Sequence, residues 1–307
     1  MRDAFQKRTA RVAFIVFFAA LLCIPFPGWA GTVLGSAQTY AVLGYAGVTA
    51  AGAVGTTQIY GNVGVDPLPL SSITTLSTTP PGTPGLVTGG DIYGPPTANQ
   101  PKADITAAAL SLMLLSPSNQ SGTNLGGNPG TRTITPGVYY WSDSEAKLNG
   151  QLDLNATGNS NAIFVFQFMH AFTTASASVV NVIGGNANTE VYWVVGSQAT
   201  LGSSSTFEGN ILAGSSVVLD STAKLCGRAF AETGSVTLIE NVISGNCIGA
   251  GAFTGALTLP SDTGSLGFSG GTGGGGIQVI PEPGTLTLLG MGLGAGFLLR
   301  RKFRPTR

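Results

Sequence analysis

From Gly31 to Ile248 the apolar residues fall in short runs separated by Gly, Asn and Ser. Ile163-Phe164-Val165-Phe166, Tyr192-Trp193-Val194-Val195 and Val217-Val218-Leu219 are examples. Short β-branched and aromatic runs bounded by turn residues read as strands. A repeat runs through them: a small residue, three variable positions, an apolar residue, one variable position, then Gly. It fits Gly55–Gly61, Ser144–Gly150, Ser178–Gly184, Ser203–Gly209 and Ser221–Gly227. The last two copies are 18 residues apart, and Gly245 with Ile243 gives a looser copy 18 residues further on. A period of roughly 18–20 residues is one turn of a parallel β-helix, with three short strands and three corners. The apolar slot then faces inward and the Gly makes the corner. One segment breaks the pattern. Ile105, Ala108, Ala109, Leu112 and Leu115 recur at helical spacing, with Asn99 as candidate cap and Pro101 in the first turn. This predicts a helix over about 101–115, packed along one side of the solenoid. The proline-rich segment 77–99 reads as an irregular cap or loop.

Charge changes the picture at both ends. Only 9% of the 307 residues are Asp, Glu, Lys or Arg, and formal net charge is zero. Nine of the 14 basic residues lie in the first 11 or last 8 positions; between Gly31 and Ile280 five basic residues stand against twelve acidic ones. That interior, at about −7, lacks the basic surface that displaces counterions, so nucleic acid is excluded as a partner. The basic N-terminus, the apolar run Val12–Ile24, and Gly28 and Ala30 ahead of a cleavage point make residues 1–30 a secretory signal peptide. Residues 31–248 form the β-helix domain, and the Gly- and Ser-rich stretch 249–280 is a linker. At the end, Pro281-Glu282-Pro283 precedes the apolar stretch Gly284–Leu299 and an Arg-rich tail. That order resembles the PEP-CTERM sorting signal. The resemblance implies recognition by an exosortase, a short transmembrane helix that holds the chain transiently, and delivery to the cell surface or extracellular matrix.

The body resembles the ice-binding-like β-helix family. The likeness is carried by Tyr40-Ala41-Val42-Leu43-Gly44, Gly61-Asn62-Val63-Gly64-Val65, Ile134-Thr135-Pro136-Gly137-Val138-Tyr139 and Gly227-Arg228-Ala229-Phe230-Ala231. Its strongest run is Val191-Tyr192-Trp193-Val194-Val195-Gly196-Ser197-Gln198-Ala199-Thr200-Leu201-Gly202. The resemblance implies a mainly β fold: a right-handed parallel β-helix, triangular in cross-section, with one long α-helix alongside. It also implies that the N-terminal segment packs next to the C-terminal coils.

Little in this domain points to catalysis. His170 is the one histidine, and Asp153, Glu208, Asp220, Glu232 and Glu240 are scattered. Neither a lyase-like group of acids and bases nor zinc-ligand spacing is present, so no catalytic residue, metal or cofactor is assigned. Cys226 and Cys247 lie 21 residues apart, about one coil, and in an exported chain a disulfide is favoured over two separate thiols.

Ice recognition calls for a flat, stiff array of small hydroxyl and methyl groups at even spacing, which β-helix rungs supply. The first and fourth repeat positions nominate Ser144, Ser178, Asn181, Ser203, Thr206 and Ser221 as ice-contacting residues, together with Thr222 next to Ser221. Lys147 and Lys224 interrupt that array, and a mobile, hydrated ammonium is a poor template for lattice water. The side carrying Thr200 and Thr237 is the substitute if this assignment fails. Two functions remain. One is an exported, non-enzymatic protein that adsorbs to ice, inhibiting recrystallisation or adhering to ice. The other is an adhesive surface protein in an exopolysaccharide matrix, on the same scaffold without ice affinity.

Overall fold

The computed structural model describes residues 33–245, apart from 80–81, 118, 121–124, 126–130, 143–144 and 187. The signal peptide, linker, sorting tail, Ser144 and Cys247 lie outside these residues. Every strand pairing within them is parallel, and the strands form three sheets. Successive coils deliver one strand to each sheet, so the domain is a three-sided parallel β-helix.

Face A carries the longest strands, including Gly137–Trp141, Ile163–Phe168 and Glu190–Val195, then Asn210–Ala213 and Ala229–Ala231. These are buried on both sides, which is why they read as continuous apolar runs and not as alternation. Face B runs through Glu145–Leu148, Ala171–Thr174, Ala199–Leu201, Val217–Leu219 and Ser235–Ile239. Face C runs through Gln151–Asn155, Val179–Ile183, Thr206–Glu208, Lys224–Cys226 and Val242–Ser244. On faces B and C alternate side chains point inward, as the repeat requires: Leu148 on face B, and Ile59, Val182, Phe207, Leu225 and Ile243 on face C, are all buried. Aromatic rings stack from rung to rung, Phe166 on Trp193 at 3.9 Å and Trp141 on Phe168 at 5.1 Å. These contacts add to the burial of the rings themselves.

The N-terminal segment completes the solenoid beyond its C-terminal coil. Tyr40–Gly44 pairs with Ala229–Ala231, Gly47–Ala51 with Ser235–Ile239, and Thr57–Tyr60 with Val242–Ser244. Buried Arg228 fastens this junction, donating from Nε and a terminal nitrogen to the Gln38 carbonyl at 2.9 and 2.6 Å, and to Asn210 Oδ1 at 3.1 Å. The segment read as an irregular cap contributes two further rungs, Gly85–Thr88 and Ile92–Tyr93.

The helix, α1, spans Asn99–Met113, starting two residues before the expected boundary. Its N-cap is Ala98, without a side-chain bond, so Asn99 is not the cap. Ile105, Ala108, Ala109 and Leu112 pack on Leu43, Val165, Tyr192, Val194, Leu212 and Phe230 of face A. Full burial of one such aliphatic side chain contributes about 1.5–3 kcal/mol. The helix C-terminus is satisfied from the sheet: buried Gln167 donates Nε2 to the Leu112 and Leu115 carbonyls at 2.7 and 2.8 Å. On its other flank, Asp104 accepts from the Ser36 amide and hydroxyl at 2.7 and 2.6 Å.

The corners differ in chemistry. Between faces C and A the turns use Gly61, Gly209 and Gly227 at φ of 121°, 120° and 147°. A Cβ on Gly209 would meet Trp193 Nε1 at 2.5 Å. Between faces B and C, Ala177, Ser204, Thr222 and Glu240 sit in the left-handed region, at φ of 57°, 58°, 63° and 56°. The Ser144–Gly150 copy is out of phase with the others. Its strand, Glu145–Leu148, belongs to face B, while the other four copies lie on face C. The repeat marks a corner, not one fixed side of the prism.

Candidate functional site

Face B carries one continuous outward ladder. Strand pairing places Lys147 beside Thr173, Thr173 beside Thr200, Thr200 beside Val218, and Val218 beside Thr237. Thr237 then meets Thr49, and Thr49 meets Thr74. Five of these seven rungs present Thr, and every rung except Lys147 is β-branched. Two heavy atoms on Cβ stiffen χ1, so each rung fixes a methyl and a hydroxyl (two methyls at Val218) at a spacing of about 4.7–4.9 Å. The inward neighbours Phe172, Ala199, Leu201, Val217, Leu219, Val236, Leu238 and Val48 are fully buried and anchor the sheet from behind.

Hydrogen bonds orient part of the ladder. The Thr49 and Thr74 hydroxyls lie 2.9 Å apart, and Gln198 Nε2 donates to Thr200 Oγ1 at 2.9 Å. Small residues run beside it, with Ser235 paired to Gly47 one column over. The surface is therefore low, regular and, beyond Lys147, uncharged along this column. The chemistry of such an array matches that of ordered water, with hydroxyls able to join a hydrogen-bond network and methyls able to fill its voids.

The residues nominated from the repeat do not form one surface. Asn181 and Thr206 do point outward on face C, half exposed. Ser178 points inward instead. It is 1% exposed, and its hydroxyl donates to the Leu148 carbonyl at 3.0 Å. Ser203, Ser221 and Thr222 lie in the corner between faces B and C. There the Thr222 hydroxyl meets Ser204 at 2.9 Å and Ser221 donates to Glu240 Oε2 at 3.3 Å. Ser203 and Ser221 precede the turns at Ser204 and Thr222, so the first and fourth positions of those copies straddle a corner; Ser178 follows the turn at Ala177, and its copy is two residues out of register, with Val179 paired to Thr206. Face C is also uneven. Its outward column reads Gln151, Val179, Thr206, Lys224, Val242, Gln58 and Leu86. Lys147 belongs to face B, at the end of its ladder, and not to the array on face C.

Glu208 closes a gap in face C. Val179–Ile183 and Thr206–Glu208 pair only at Val179 and Thr206. The Val182 amide beyond that point donates to Glu208 Oε2 at 2.6 Å. Burial pushes the Glu208 carboxyl up to about 7, partly opposed by that backbone bond. Cys226, the rung partner of Glu208, is disulfide-bonded; its expected partner Cys247 lies outside the described residues. His170 is exposed at the corner between faces A and B. Among the described residues no three His, Cys, Asp or Glu side chains gather in a metal-holding group, and no helix is long and apolar enough to cross a membrane.

Comparison with known proteins adds a family to this geometry. The PEP-CTERM protein-sorting motif matches residues 279–302. An ice-binding protein of Nostoc sp. is 34% identical over 278 residues, covering 89% of this chain and 88% of its own. The crystal structure of an ice-binding protein from the Antarctic ascomycete Antarctomyces psychrotrophicus matches with TM-score 0.59 and 30% identity, over 70% of this chain and 98% of that one. An ice-binding protein from an Antarctic biological consortium matches with TM-score 0.59 and 34% identity, over 69% of this chain and 90% of that one. The Ice-binding-like family model matches residues 42–244, most of the described solenoid, and the chain belongs to that family.

Proposed function

We propose that this protein is exported and adsorbs to ice through face B, without catalysis. The observation that carries the reading is the ladder Thr173, Thr200, Val218, Thr237, Thr49 and Thr74, held in unbroken register by strand pairing. The names of its relatives support the ligand. The corresponding column of face C, with Gln151, Lys224 and Leu86 among its rungs, supplies neither even height nor even chemistry. The sorting motif supports passage through an exosortase, with the apolar tail holding the chain in the membrane before processing at Pro281, Glu282 and Pro283.

The test is partition of the full chain into slowly growing ice, followed by thermal hysteresis. Thr200→Tyr lifts a ring out of the centre of the ladder, and most of the activity is lost while the melting temperature holds, because this side chain points outward. Thr206→Tyr on face C leaves partition unchanged. If Thr200→Tyr partitions like the native chain and Thr206→Tyr does not, the site is on face C, with Asn181 and Thr206.

A further inference from the structure

The terminal rungs at the N-terminal-segment end of the solenoid hold a second candidate site, remote in chemistry from the threonine ladder. A groove of about 770 Å³ is lined there by Asn62, Thr78, Leu86, Thr88 and Asp91, with the Gly89-Gly90 backbone between them. It exists because the last strand of face C, Leu76–Ser77, pairs only with Gly85 and Leu86. The chain from Val87 to Asp91 is therefore left as an open margin.

The lining has a definite chemical bias. One carboxylate, one amide and two hydroxyls converge, and no Lys, Arg or His lines the groove among the described residues. An anionic ligand would meet an acid and no compensating cation. Asp91 is held in place: its amide donates to Asn62 Oδ1 at 3.0 Å, and Tyr93 donates its hydroxyl to Asp91 Oδ2 at 3.2 Å. Leu86 supplies an apolar patch beside these polar groups. One rung in from Thr88 stands Tyr60, whose hydroxyl donates to Gln58 Oε1 at 2.9 Å. That bond ties the ring to the side chain two residues back on the same side of the strand; Tyr60 is half-exposed and one rung from the groove, outside the residues that line it. A carboxylate already accepting from the Tyr93 hydroxyl, an amide, alcohols, and an aromatic ring one rung away together suit one ligand class.

We propose that this groove binds a neutral oligosaccharide, with Asp91, Asn62 and Thr88 contacting sugar hydroxyls and Tyr60 stacking on a ring. In so open a groove, water bridges complete the contacts between sugar hydroxyls and the few fixed polar groups. The proposal is independent of ice adsorption, because no groove residue stands in the ladder.

The experiment is calorimetric titration of the full chain with cellohexaose, maltohexaose and an oligogalacturonate as acidic control. Saturable binding of at least one neutral oligosaccharide is expected, with the acidic one much weaker. Asp91→Asn, which keeps an acceptor for Tyr93, and Tyr60→Ala each raise Kd by about tenfold or more. Ice partition of both variants stays at the native level. Thr88→Val serves as a third variant if either of the others fails to fold. No binding of either neutral oligosaccharide, binding unaffected by all folded variants, or equal binding of the acidic oligomer overturns the proposal.

Discussion

Glu208 makes the stability of this domain depend on pH in a direction opposite to that of an ordinary surface carboxylate. Its side chain is 4% exposed and faces the Val182 amide across the gap in face C. Burial moves its carboxyl from 4.5 to about 7. A folded-state value raised above the unfolded one means that the folded chain holds a proton the unfolded chain has released. The stability contribution is therefore complete below about pH 4.5 and is lost as pH rises through 7. A displacement of this size corresponds to about 3 kcal/mol once the group is fully ionised. Glu190 and Glu232 are also raised by burial and add to the same slope, so the native chain alone does not isolate Glu208. Glu208→Gln does, because the amide oxygen still accepts from Val182 and nothing there titrates. Denaturant unfolding at pH 5 and pH 8 should show the native chain losing about 2.5 kcal/mol more than the variant. Identical losses in the two chains would refute the assignment of that slope to Glu208.

Five other substitutions follow from the fold. Gly209→Ala forces a Cβ against Trp193 Nε1 at a φ of 120°, and should cost at least about 2 kcal/mol by thermal unfolding. Arg228→Met leaves the Gln38 carbonyl and Asn210 Oδ1 without their donor, so unfolding should fall by roughly 2–4 kcal/mol, with faster hydrogen exchange in Tyr40–Gly44. Ser205→Ala should be neutral or stabilising by about 1 kcal/mol, because its buried hydroxyl has no hydrogen-bond partner and the next rung carries Ala223 at the matching place. Val218→Thr should raise thermal hysteresis by completing six consecutive Thr rungs from Thr173 to Thr74, whereas Lys224→Thr on face C should leave it unchanged.

The coil, its inward slots and its glycine corners were readable from sequence because they are local. Ile59, Phe207 and Leu225 each sit two residues before a corner glycine, and that spacing is set by strand length alone. The helix was readable from its apolar stripe, but its start was not, since Ala98 caps it without a side chain. The binding face was harder. Assigning Ser178 and Ser203 outward assumed that the strand began with them, whereas Ala177 and Ser204 turn through the left-handed region and start it later. A β-branched residue such as Thr222 in that region runs against local preference, so only neighbouring coils hold it there. Thr200 and Thr237 were recognisable as an alternative side. Thr49 and Thr74 were not, because Thr49 enters the ladder by pairing with a strand almost 190 residues away and Thr74 joins it only through Thr49.

That long-range pairing links the junction to the function. Without Gly47–Ala51 and Ile73–Thr74 the ladder would end at Thr237, leaving Thr173, Thr200 and Thr237 interrupted by Val218. The N-terminal segment adds two consecutive Thr rungs, and makes Thr237, Thr49 and Thr74 the longest uninterrupted stretch. Arg228 is a positioning residue for that stretch. It touches neither Thr49 nor Thr74, but it holds the Gln38 carbonyl two residues before Tyr40–Gly44, whose next strand carries Thr49. Arg228→Lys keeps the charge and loses the fork that spans Gln38 and Asn210. At a temperature where this variant remains folded by circular dichroism, hysteresis should fall more than it does for Ser205→Ala, and a single ladder change at Thr74→Tyr should add little further loss. If Arg228→Lys keeps native hysteresis while exchange in Tyr40–Gly44 accelerates, the junction stabilises the fold without setting the register of the ice face, and the active stretch is the one around Thr173 and Thr200.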